Sequence, residues 1–170
     1  RKHLTADGLF SHIREGMAKI KDHRPMNVVI PLVDALMSGL ALFALKDPSL
    51  LAFDERRVVP GNLRKGFGIA EIPSDSQMRT ILDGVDPEDL RPLYKEVFSQ
   101  LQRGKVLEEM VFMEGYYLLA LDGTKYFSSP TVHCESCLQR EHKDGTITYS
   151  HQMLGAAIVH PDHKAVIPLA

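Results

Sequence analysis

Two short stretches of the chain carry residue types that do chemistry. In "LLALDGTKYF" (residues 118–127) an apolar, strand-forming run ends on one carboxylate, Asp122, followed at once by Gly123 and Thr124. A hard divalent cation such as Mg²⁺ or Mn²⁺ is typically held by one or two carboxylates together with phosphate oxygens. A pair of such ions can clamp the attacking and leaving oxygens of a phosphodiester. Asp122 therefore offers one ligand for phosphodiester chemistry, and a strand end would fix its position. The competing role is purely local: a carboxylate capping a turn made with Gly123 and Thr124.

The second stretch, "VHCESCLQREH" (residues 132–142), holds Cys134 and Cys137 in a C-x2-C-x4-H pattern ending at His142, with His133 at its front. Zn²⁺ takes this mix of thiolate and imidazole at tetrahedral geometry, and a two-residue gap lets both thiolates reach one ion. A retroviral-type knuckle would need a fourth ligand near Ile147, where the sequence has none. The fourth position falls to His133, which directly precedes Cys134 and so ligates with it awkwardly, or to His151 at the start of the next strand. Against zinc stands a pair of reduced thiols with incidental histidines. His3, His12, His23, His160 and His163 are scattered and read as solvated side chains.

The elements that must position these residues divide at about residue 110. Before it the pattern is helical: residues 5–20 place Leu9, Phe10, Ile13, Met17 and Ile20 on one face, with Thr5 or Asp7 as N-cap. A second helix begins near Pro31 and a third behind Pro48. Pro60, Gly61, Gly66, Gly68 and Pro73 mark residues 58–75 as a loop. Ser74 or Asp75 then caps a helix carrying Met78, Ile81 and Leu82. Asp86 and Pro87 open another with Leu90, Leu93, Tyr94, Val97, Phe98 and Leu101 on its buried face. Beyond Gly115, "YYLLALD" reads as a short buried strand, followed by strands in residues 146–160 and "AVIPLA". Pro161 and Asp162 supply a hairpin turn between the last two. The expected class is α+β: a helical region over 1–110, then a three-stranded antiparallel meander over 111–170, interrupted by a zinc-clipped insertion at 133–151.

Composition fits an ordinary globular protein, with 44% hydrophobic and 25% charged residues among 170. The longest apolar stretch, residues 27–45, is broken by Pro31, Asp34, Ser38 and Gly39, which makes it a buried helix rather than a membrane span. Two cysteines three positions apart make no disulfide framework, so the expected compartment is a reducing cytosol. Net charge is −2, but residues 1–66 hold 11 Lys/Arg against 7 Asp/Glu while residues 67–170 hold 9 against 15. A basic front and an acidic back suit a protein that grips a polyanion with one part and cations with another. The chain opens on Arg1 and closes in a strand-like run, which reads as a piece of a longer protein.

Taken together, "IPSDSQMRTILDGVDPEDL", a helical segment, "LLALDGTKYFSS" and the strand "HQMLGAAIVHP" resemble the DDE transposases of bacterial insertion sequences, over residues 30–170. The resemblance implies an N-terminal helical region that binds double-stranded transposon-end DNA, a ribonuclease H-like core begun at residue 111, Mg²⁺ or Mn²⁺ as cofactor, a homodimer, and a bacterial cytoplasmic, nucleoid-associated location. Asp122 matches the first triad carboxylate. The second Asp and the Glu would lie beyond Ala170, since Asp162 falls in a turn and the family's second Asp follows a later strand. The 170 residues alone would then hold metal weakly and cut nothing. Phosphate contacts supply most of the affinity in such a protein, and the candidates are Arg56, Arg57, Arg64 and Lys65 beside the glycines, with Arg79 and Lys125. No pair of segments matches a helix-turn-helix. The alternatives are a zinc-stabilised DNA-binding or interaction module without catalysis, and a ribonuclease H-like nuclease or inactive remnant.

Overall fold

The first helix, α1 (Ala6–Met17), starts where Thr5 in extended conformation accepts a bond from the Gly8 N–H at 3.1 Å. This fixes the first turn of a segment whose apolar face then packs inward. In the computed structural model, which describes residues 4–169, the chain forms two compact units that part between Val106 and Leu107. The first is helical and the second is a sheet, so the architecture is α+β.

In the helical unit, α2 (Leu32–Ala44) begins behind Pro31 and buries Ala35, Met37 and Ala41 completely. Ser49 caps α3 (Leu50–Glu55) by accepting from the Ala52 N–H, and a single 3₁₀ turn, Arg56–Val58, follows. The stretch read as a loop contains a helix, α4 (Gly61–Phe67). Leu63 and Phe67 sit four apart on its inner face, and Phe67 stacks on Phe10 with ring centroids 4.7 Å apart. Gly68, at φ +67°, ends it in the left-handed conformation that a residue with a Cβ adopts at a cost. The helix α5 (Asp75–Leu82) opens on a full capping box: Ser74 accepts from the Gln77 N–H while Gln77 Oε1 accepts from the Ser74 N–H.

A 3₁₀ turn at Pro87–Leu90 leads into α6 (Arg91–Arg103), which packs along α1. None of its residues is fully buried, against the expectation of a buried face. Its apolar side meets α1, and Gly16 permits the close approach: a Cβ there would run into Leu93 and Glu96. The polar anchor of the helical unit is Asp34 on α2, which is 1% exposed. The short helix α7 (Val106–Glu109) precedes the sheet.

The sheet comprises β1 (Val111–Phe112), β2 (Tyr116–Ser129), β3 (Leu138–Glu141), β4 (Ile147–His160) and β5 (His163–Pro168), all pairing antiparallel. β4 is central, with β2 along one edge and β3 and β5 sharing the other. The expected order β2, β4, β5 is present, with β1 and β3 in addition. Pro161 and Asp162 form the β4–β5 turn, closed by the His160–His163 pair. The turn between β3 and β4 is made by Lys143 to Gly145: Asp144 Oδ1 accepts from the Thr146 N–H and hydroxyl, and Gly145 has φ +80°. Those bonds, the hydroxyl's first, lower the Asp144 pKa.

Two expectations about β2 are corrected. The strand does not end at Asp122 but runs on through Gly123 and Thr124 to Ser129, with a bulge between Lys125 and Phe127. Nor is it buried: Leu121 is 63% exposed. An antiparallel ladder can pair its backbone with an exposed face, and β2 and β4 pair from Leu118–Val159 to Ser129–Tyr149 with that single bulge.

Candidate metal centres

Ser129 ends β2 by accepting the backbone N–H groups of Thr131 and Val132, turning the chain toward the cysteines. The segment from Cys134 to Cys137 is a tight turn closed by Cys137 N–H donating to the Cys134 carbonyl at 3.2 Å. In return the Cys134 N–H donates to Cys137 Sγ at 3.3 Å. The turn brings the two sulfurs to 3.8 Å. His151, opposite Phe127 across the β2–β4 ladder, places Nε2 at 3.2 Å from Cys134 Sγ and 3.3 Å from Cys137 Sγ. Cys137 is buried and Cys134 exposed; both are free thiols. The three side chains form a group that could hold a metal ion such as zinc.

Of the other histidines considered for that site, neither joins it. His133 stacks on Tyr149 with centroids 4.2 Å apart, and His142 Nε2 is 2.8 Å from Thr148 Oγ1. His142 leaves the site because β3 carries the chain away from the cysteines before the hairpin returns it. Among the residues read as scattered, His160 is not solvated: it is packed edge-on to Phe112 and beside His163, and accepts the Asp162 N–H at Nδ1. His3 lies outside the described residues.

Asp122 stands in the middle of β2, paired with Gly155 on β4. No turn exists at Gly123 and Thr124 for it to cap. It is exposed and has no hydrogen-bond or ion-pair partner among the described residues. It also belongs to no group of three metal-ligating side chains there. One carboxylate does not make a Mg²⁺ or Mn²⁺ site, so Asp122 fits such an ion as a single ligand only. Side chains alternate along a strand, which sets His151, Met153 and Gly155 on one face of β4 with Asp122 opposite Gly155. Asp122 and the cysteine–histidine cluster thus share a face, four residues or about 13 Å apart along β4. The same alternation sends Lys125 to the other face.

The basic candidates separate by what they touch. Arg56 is committed to Asp47, with Nε and Nη2 donating at 2.6 and 2.7 Å, and that carboxylate raises the pKa of the guanidinium. Arg57 pairs with Asp54 at 2.8 Å. Arg64 and Lys65 on the last turn of α4, and Arg79 on α5, are exposed and carry no ion pair among the described residues.

Comparison with family models, with curated proteins and with solved structures finds no match. Among the described residues no helix is long and apolar enough to cross a membrane.

Proposed function

We propose that the chain is the N-terminal part of a DDE-type insertion-sequence transposase, its helical unit binding transposon-end DNA and its sheet opening a ribonuclease H-like core. The observation that carries the reading is the place of Asp122: an accessible, unpaired carboxylate on a long strand, facing a glycine on the neighbouring strand. With no turn to cap and no ion-pair partner among the described residues, this carboxylate is free to act as a ligand. In the complete protein two further carboxylates beyond Ala170 would join it. Divalent cations held there would stabilise the charge developing on the phosphodiester oxygens. This chain's own contribution is position: β2 and β4 fix the Asp122 backbone, and the missing side chain at Gly155 leaves its carboxylate open to DNA.

The test is Asp122→Asn in the protein extended past Ala170. Cleavage and strand transfer should be lost while end binding, followed by gel shift, stays within about threefold of the unaltered protein. A variant that still cuts DNA removes Asp122 from the reaction and the reading with it.

A second reading, a zinc-stabilised binding module without catalysis, is favoured by the cysteine–histidine geometry. It parts from the first at the same experiment, since it gives the extended protein no cleavage activity to lose.

A further inference from the structure

We propose that Cys134, Cys137 and His151 bind one Zn²⁺ whose fourth coordination position is open to an external ligand. The inference stands independently of the transposase reading, because none of these residues takes part in the chemistry assigned to Asp122.

The sulfur–sulfur distance is that of a tetrahedral site, and the sulfur–nitrogen distances fall within about 0.4 Å of one. Two thiolates about 2.3 Å from zinc lie about 3.8 Å apart, and a thiolate and an imidazole nitrogen about 3.6 Å. The sulfurs are 3.8 Å apart, and the two sulfur–nitrogen distances are 3.2 and 3.3 Å. A disulfide would draw the sulfurs to about 2.05 Å. The Cys134 N–H donates to Cys137 Sγ at 3.3 Å, which holds the two cysteines in one tight turn. Two thiolates and an imidazole suit Zn²⁺ and disfavour Mg²⁺ or Ca²⁺.

No fourth His, Cys, Asp or Glu joins the group among the described residues. The two histidines nearest in sequence, His133 and His142, are engaged with Tyr149 and Thr148. Cys134 is exposed and His151 half-buried, so the cluster borders solvent. Three protein ligands with one accessible position bind a water or a small neutral donor such as imidazole. The ion would fasten the connection after β2 to the middle of β4, adding its binding free energy to the stability of that part of the sheet.

The experiment uses the 170-residue chain, reduced, with Zn²⁺ or Co²⁺ as the probe. One equivalent of zinc should bind. Co²⁺ in its place should give the intense visible bands of a tetrahedral site and a sulfur-to-metal charge-transfer band, and added imidazole should shift the visible bands. Cys134→Ser, Cys137→Ser and His151→Ala should lose the metal, whereas His133→Ala and His142→Ala should keep it, with far-UV circular dichroism confirming that each variant is folded. Without any variant, Zn²⁺ should slow alkylation of both thiols by iodoacetamide at least tenfold. A reduced chain that binds no zinc, metal retained after His151→Ala, thiols left unprotected, or Co²⁺ bands indifferent to imidazole would each overturn the proposal.

Discussion

Asp122 faces Gly155 across the β2–β4 ladder, and a Cβ built on Gly155 would come no closer than 3.8 Å to anything but its own neighbours, the nearest atom being the Asp122 carbonyl oxygen. The glycine is therefore not required by crowding of the backbone. Its effect is to leave the space beside the carboxylate unfilled. Under the transposase reading, Gly155→Ala in the extended protein should leave DNA cleavage within about threefold. Gly155→Lys should lower it about fivefold or more, because a cation directly opposite a carboxylate interacts with it by up to about 1 kcal/mol and competes with a metal ion. Single-turnover cleavage at saturating Mg²⁺ and over a Mg²⁺ titration measures this. Equal rates for the two variants would show that the Asp122 carboxylate is not where the ion binds.

The basic residues give a second, independent prediction. A phosphate contact contributes about 0.9 to the slope of log affinity against log salt. Arg64 and Lys65 have no acidic partner among the described residues, whereas Arg56 holds Asp47 through two hydrogen bonds. Arg64→Ala and Lys65→Ala should each reduce the salt slope for transposon-end DNA by about one. Arg56→Ala should leave the slope nearly unchanged. Fluorescence anisotropy at three salt concentrations reads the slopes directly, and an unchanged slope in the Arg64 and Lys65 variants would take the α4 end out of the DNA interface.

What was legible in the sequence follows from how local each signal is. The two caps and the Pro161–Asp162 turn are set by residues within four positions of each other: of the candidates Thr5 or Asp7 and Ser74 or Asp75, Thr5 and Ser74 are the caps, and the turn lies where the sequence puts it. The α4 helix was missed because its glycines and Pro60 outweighed a single turn of apolar spacing, Leu63 and Phe67, that matters only once Phe10 is there to stack on. The β3–β4 hairpin is absent from the sequence reading although Asp144-Gly145 between strand formers is a strong hairpin signal, because the C-x2-C-x4-H spacing that ends at His142 overlaps β3 and reads as a metal clip. The choice of His151 over His142 depends on the β2–β4 register and its bulge, which pair residues more than twenty positions apart. No count of spacings contains that register.

The contact between half-buried Arg14 and buried Asp34 carries a stability prediction for the helical unit. Arg14 Nη2 is 2.8 Å from Asp34 Oδ1, and Oδ2 accepts the backbone N–H groups of Ala70 and Glu71 at 3.1 and 2.9 Å. The contact is an ion pair without an aligned hydrogen bond, since Asp34 Oδ1 and Arg14 Nη1 have no hydrogen-bond partner. Arg14→Ala leaves the carboxylate buried with two N–H donors only, and Asp34→Ala strands those donors and the cation. Each should cost about 2–3 kcal/mol. The double variant should cost clearly less than the sum, because both single changes break one network. Urea unfolding followed by the helical circular-dichroism signal tests this; additive losses would mean the two side chains stabilise the unit separately.

Asp22 and Arg24 set a pH-dependent prediction. Asp22 accepts from Arg24 Nε at 2.9 Å, Nη2 at 2.8 Å and the backbone N–H at 3.0 Å, while Nη2 also reaches the Ile30 carbonyl at 2.8 Å. The Arg24 side-chain bonds, ahead of the backbone bond and the charge itself, hold the Asp22 pKa below its ordinary value. A carboxylate depressed in the folded state stabilises it above the unfolded pKa of about 3.9, and that contribution is lost as pH falls through the lower folded value. Both side chains are partly exposed, which limits the gain to about 1 kcal/mol. Asp22→Asn should therefore lower the urea midpoint at about pH 7 and leave it close to that of the unaltered chain at about pH 2. If the two proteins differ as much in acid as at neutrality, the ionised Asp22–Arg24 pair is not the source of the difference.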